Sequence, residues 1–150
     1  MKTRLKLKID DIKELREKLI SIYERKTHAQ MAKYSVLLAK HIIEFSDFPI
    51  NDMIEEGFSI NEKWQRNEAK TYTVRLVGFK MHELARNSKD LKTQIVYRVI
   101  GHAVSSAHMK EHAIVASDYA IKLINLICLK DIDAVKKERE YQIYLMQGIE

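Results

Sequence analysis

The sequence predicts an all-α fold, a compact bundle of six or seven largely antiparallel helices, and three observations predict it. Helix breakers are scarce, with one proline and four glycines in 150 residues, so the chain offers few places where a helix must stop. Apolar residues recur at spacings of three and four along most of its length, the period of a half-buried helix. Residues suited to opening helices (Thr27, Asn51 or Asp52, Asp131) stand at the breaks between those periodic stretches. The length fits one domain with a core of its own. We divide it into a basic arm at 1–9 and a single helical domain at 10–150.

Arg4-Leu5-Lys6-Leu7-Lys8-Ile9 alternates basic and apolar residues, a strand-like period suited to an arm on the body or against a second copy. Asp11 and Glu14 read as a capping-box-like pair opening the first helix, with Ile12, Leu15, Leu19, Ile22 and Tyr23 on one side. Thr27 caps a second helix over about 28–46. The break at Phe48-Pro49-Ile50-Asn51 precedes a third that runs to about Asn67. A fourth covers about 70–87 and ends at the turn-prone Asn87-Ser88. A fifth runs from about Asp90 to Ala107, a sixth from about Lys110 to Leu129, and Asp131 caps a seventh. Gly78 and Gly101 fall inside helical patterns, where glycine costs about 1 kcal/mol against alanine. Both therefore mark places where another helix passes close.

Composition excludes several classes. A single cysteine, Cys128, rules out an internal disulfide framework and a cysteine-clustered zinc site, and its apolar surroundings make it a small core residue. No apolar run spans a bilayer and the start is not that of a signal peptide, so the expected location is cytoplasmic, away from membranes. The pI of about 9.2 suggests nucleic acid. However, Lys2, Arg4, Lys6 and Lys8 carry four of the net +5 charges and leave +1 for residues 9–150. A nearly neutral body is a poor footprint for phosphates, so a nucleic-acid role rests on the arm alone. Gly-rich phosphate loops, the GxSxG elbow and paired-carboxylate metal motifs are absent.

Two stretches carry candidate chemistry. Arg75, Phe79, His82 and Arg86 recur at spacings of four, three and four, which lines them up along the fourth helix. Two arginines, an imidazole and an aromatic in line suit a carboxylate, a phosphate or an acidic partner. The run from Arg98 to Ala113 holds Gly101 and three of the six histidines, His102, His108 and His112. His102 lies one turn from Arg98 at the border of an apolar helix face. His108 and His112 share a helix face only if the helix is continuous there, and a turn is expected near Met109-Lys110. A metal site would draw on His82, His102, His108 and His112, with Asp118 as a further ligand. Otherwise no cofactor is indicated. The openings of the second and sixth helices also echo one another, His28-Ala29-x-x-Ala32 against His112-Ala113-x-x-Ala116.

The segments AKYSVLLAKHIIEF, INEKWQRNEA, TVRLVGFKMHELAR, YRVIGHAVSSAHMKEHAIVASDYAIKL and EREYQ occur in this order over about residues 30–145. Together they resemble the putative immunity protein family of bacterial polymorphic toxin systems, small helical proteins. The most specific part is the histidine-alanine core at 102–113 with Arg98 and Gly101. The line of Arg75, Phe79, His82 and Arg86 comes next, then Trp64 followed by Glu68. The resemblance implies a helical protein that binds a cognate protein toxin without catalysis, through a patch of Arg75, Phe79, His82, Arg86, Arg98, His102, His108 and His112. A homodimer is a further expected partner state. The readings kept beside it are a histidine-based metal protein or metal-dependent enzyme, and a nucleic-acid accessory protein using the arm.

Overall fold

A computed structural model describes residues 3–150 and contains seven helices: α1 (Lys13–Glu24), α2 (His28–Phe45), α3 (Asp52–Gln65), α4 (Thr71–Asn87), α5 (Leu91–Ser105), α6 (His112–Ile127) and α7 (Ile132–Gln147). There is no strand among the described residues. The alternating segment at 4–9 is irregular chain, and Lys2 of the predicted arm lies outside the described residues.

The expected caps hold α2, α3 and α7. Thr27 accepts from the Gln30 backbone N–H while the Gln30 side chain accepts from that of Thr27. Asn51 accepts from Ile54 and Asp131 from Ala134. Asp90 caps α5 in the same way, through Thr93. Each such cap is worth about 1 kcal/mol. The chain also stops helices without glycine. Asp47 and Asn67 adopt left-handed φ of 52° and 61° just past the ends of α2 and α3. Phe48 N–H then reaches back to Ile43 and Asp47 N–H to Glu44, as Glu68 N–H does to Lys63 and Asn67 N–H to Trp64, the paired bonds of a Schellman ending. Asp and Asn tolerate that conformation better than most residues.

The packing centres on α5, which touches α2, α3, α4 and α6, while α7 lies against α1, α2 and α6. A single large cluster of buried side chains runs through the helices, including Tyr34, Leu38, Ile42, Met81, Val99, Ile100 and Leu123. A smaller cluster of Ile121, Ile124 and Val135 is covered by Ile9, Ile12 and Cys128. The arm therefore lies on its own body. Asp10 and Asn125 exchange two hydrogen bonds, and the Thr3 carbonyl accepts from Arg16.

The glycines do what helix-interior glycines imply. A Cβ at Gly101 would lie 2.8 Å from His82 Cε1, and one at Gly78 would run into Ser105 Oγ. α4 and α5 thus approach at positions where only a hydrogen fits. Asp11 departs from the sequence reading. The residue before α1 is Ile12, with no side-chain cap. The Asp11 carboxylate instead accepts two bonds, 2.9 and 2.7 Å, from fully buried Arg139. Arg139 also donates to Asp118 and Gln142, and Arg16 grips Asp118 through two further bonds. A buried guanidinium is tolerable only when saturated in this way: burial acts to lower its pKa, and the bonds and charges of Asp11 and Asp118 outweigh that and hold it above the usual arginine value.

Candidate functional site

α4, α5 and α6 bring most of the sequence-predicted residues to one side of the bundle, in two settings. The first is a row of imidazoles. His82 of α4 packs edge-on against His102 of α5, with ring centres 4.5 Å apart, and His102 stacks on His112 of α6 at 5.1 Å. The chain breaks between α5 and α6 at residues 106–111, as the expected turn requires. His108 therefore sits in the connection while His112 opens α6, and their rings are 6.2 Å apart.

The Nδ1 atom of each ring in the row is engaged. Arg98 Nη1 donates to His82 Nδ1 at 2.8 Å, since a guanidinium has no acceptor, so the neutral ring carries its proton on Nε2. His102 Nδ1 and His112 Nδ1 lie 2.9 Å apart, so one ring donates and the other accepts. The first arrangement requires an uncharged His82, and the second an uncharged ring on its accepting side. Burial, then the Arg98 charge, pushes His82 down to about 4. Burial, then His82, lowers His102, and burial, then His108, lowers His112. Among the described residues no group of three or more His, Cys, Asp or Glu side chains is arranged to hold a metal ion. The four candidate ligands run as a chain of neighbours, and Asp118 is gripped by Arg16 and Arg139.

The second setting is the outer face of α4. Phe79 is 52% exposed, Tyr72 66% and Leu76 43%. Arg75 lies over the Phe79 ring at 5.1 Å, a cation–π contact in solvent. The line foreseen along α4 thus divides. Arg75, Phe79 and Arg86 are exposed, whereas His82 is half-buried and turned toward Arg98 and Gly101.

Two concavities border the imidazole row. A cleft of about 660 Å³ lies between the arm and α6, with Arg4 and Lys6 on one wall and His102, His112 and Tyr119 on the other. A smaller depression of about 220 Å³ is framed by Arg86, Arg98 and Lys122, with Tyr119 and Gln94 between them. Sequence reasoning missed Tyr119 and Lys122. Their signal was spacing: they follow His112 by seven and ten residues on one helix, and so share its face. Trp64 is a packing residue, donating to Thr71 Oγ1 and tilted against the His28 ring with centres 4.8 Å apart. Glu68 pairs with Arg66 in solvent. The two echoing histidines both open helices, yet His28 bonds the Ser106 carbonyl while His112 faces His102.

A family model described as Imm-5 like putative immunity protein matches residues 21–149. The chain belongs to this family. The match takes in all of α2 to α7, and with them the imidazole row and the exposed face of α4, while the arm precedes it. A search of curated proteins and a search of solved structures each gave no match. Among the described residues of this Imm-5 like protein, no helix is long and apolar enough to cross a membrane.

Proposed function

We propose that the protein is a non-catalytic binder that neutralises a cognate protein toxin by covering the toxin's active site. It would work in the cytoplasm, where such a toxin is made. Residues 10–150 act as one rigid unit, and the described part of the arm, from Thr3, is folded on it. The observation that carries this reading is the outer face of α4, where Tyr72, Leu76 and Phe79 stand exposed beside Arg75. Aromatic residues and arginine are the side chains that most often anchor protein interfaces. An inhibitor of this kind needs no reacting group, only a rigid surface that fits its target. Family membership supports a toxin as the class of partner. Arg86 extends the face, and Arg98, His82, His102, His108 and His112 stiffen its base.

The test is co-purification with the toxin encoded beside it, followed by calorimetric titration of the two chains. Phe79→Ala and Arg75→Ala should each weaken binding about 30-fold or more while leaving the melting temperature nearly unchanged, as expected for interface anchors. Wild-type affinity in both variants would remove α4 as the contact surface. Absence of any complex with the adjacent-encoded toxin would overturn the toxin reading itself.

A further inference from the structure

We propose that the depression framed by Arg86, Arg98 and Lys122 is a binding site for a single oxyanion, a carboxylate or a phosphate group. The three cations come from three helices, α4, α5 and α6, and converge on a space of about 220 Å³. A water occupies about 30 Å³ of liquid, so the space holds one such group with a few waters. No Asp or Glu lines it. Among the described residues, Arg86, Arg98 and Lys122 take part in none of the ion pairs.

The contrast within the molecule is informative. Arg16 and Arg139, the other guanidiniums drawn into the fold, are each paired with carboxylate. Half-buried Arg98 is given a neutral imidazole instead, which uses one of its five N–H donors and none of its charge. Lys122 likewise meets only the Tyr119 ring, 5.8 Å away. Like charges held together without a counterion repel, and an anion between them removes that cost. The guanidinium forks give two-point recognition of an oxyanion, and the lysine adds a point charge. Gln94 and Tyr119 line the same space.

Occupancy also has a built-in reporter. Arg98 and Arg86 both act to lower the pKa of His82, and Tyr119 stacks on His102 at 5.2 Å. An anion in the depression neutralises the first effect and touches the ring involved in the second. The oxyanion can be free, or it can be an acidic side chain of a bound protein. The site itself belongs to the isolated chain and does not depend on the toxin reading.

The test is NMR of the His82 and His102 Cε1–H signals in the isolated protein at pH 7. Inorganic phosphate is titrated against chloride at matched ionic strength. Saturable shifts with half-saturation at about 1–10 mM are expected, the range of a single-group ligand. Lys122→Met should weaken saturation about tenfold, as loss of one charge-assisted contact implies. Arg86→Gln gives an independent second variant. Shifts that follow ionic strength alone, or wild-type saturation in both variants, would overturn the proposal. Titration with acetate separates the sources. Saturation by both anions marks a carboxylate site suited to an Asp or Glu of a partner, and saturation by phosphate alone marks a phosphoryl site.

Discussion

Arg139 shows what single residues contribute here. Its side chain is fully buried, and it holds Asp11 and Asp118 at the junction of the α1 entrance, α6 and α7. Removing it leaves two carboxylates in the interior, one of them with no other partner but its own neighbouring backbone. Arg139→Met should therefore cost about 3–5 kcal/mol, the range for breaking a buried pair from one side. Urea unfolding measures it. A loss below about 1 kcal/mol would mean that water enters the site and solvates the acids. The residue was half legible in the sequence. The buried positions of α7 are Val135, Glu138, Arg139, Gln142, Ile143 and Met146, a regular helical stripe with three polar members. The period marks them as inward-facing, but charge in a sequence ordinarily reads as surface, because the partners that make burial tolerable are more than twenty residues away. For the same reason Asp11 looked like a cap: its local role was visible and its distant guanidinium was not.

At the scale of elements, helix boundaries were the most legible feature, because caps act within four residues of themselves. Thr27, Asn51 and Asp131 carried enough local chemistry to be read. The arm was harder: the Arg4–Ile9 alternation is a strand period, yet the segment finds no strand to pair with and settles on α6 through Ile9 and Asp10. The candidate site was legible as positions but not as directions. The α4 line placed Arg75, Phe79, His82 and Arg86 on one side, and a small rotation separates half-buried His82 from exposed Phe79. What fixes that rotation is the contact at Gly101, where the His82 ring occupies the space of the missing side chain. Gly101→Leu should push the ring away and part the two helices. The expected cost is about 3 kcal/mol, the upper end for overpacking. It should also disturb the His102 signal, because the three rings are in series. An unchanged unfolding midpoint would show that α4 can slide on α5 without penalty.

For the whole molecule, the three imidazoles make folding depend on pH. His82, His102 and His112 all have pKa values below the free value of 6.5, with burial the largest cause in each. Below pH 6.5 the unfolded chain takes up protons that the folded chain refuses, so its free energy falls relative to the native state. The stability that these rings contribute is therefore complete above pH 6.5. It is lost as pH falls from there toward about 4, where His82 itself protonates in the fold. Carboxylates stay mostly ionised down to about pH 5, so the interval from 7.5 to 5 isolates the histidines. Across it the protein should lose about 2 kcal/mol, allowing for the partial exposure of His82, which lowers the melting temperature by about 5 °C. His102→Asn should flatten the slope of that profile even if it lowers stability throughout, because an amide has no proton to gain in this range. The slope, unlike the level, separates a titrating row of rings from a merely well-packed one. A melting temperature that is level from pH 7.5 to 5 would mean that the imidazoles gain protons as readily in the fold as outside it, and that Arg98 is not held against a neutral ring.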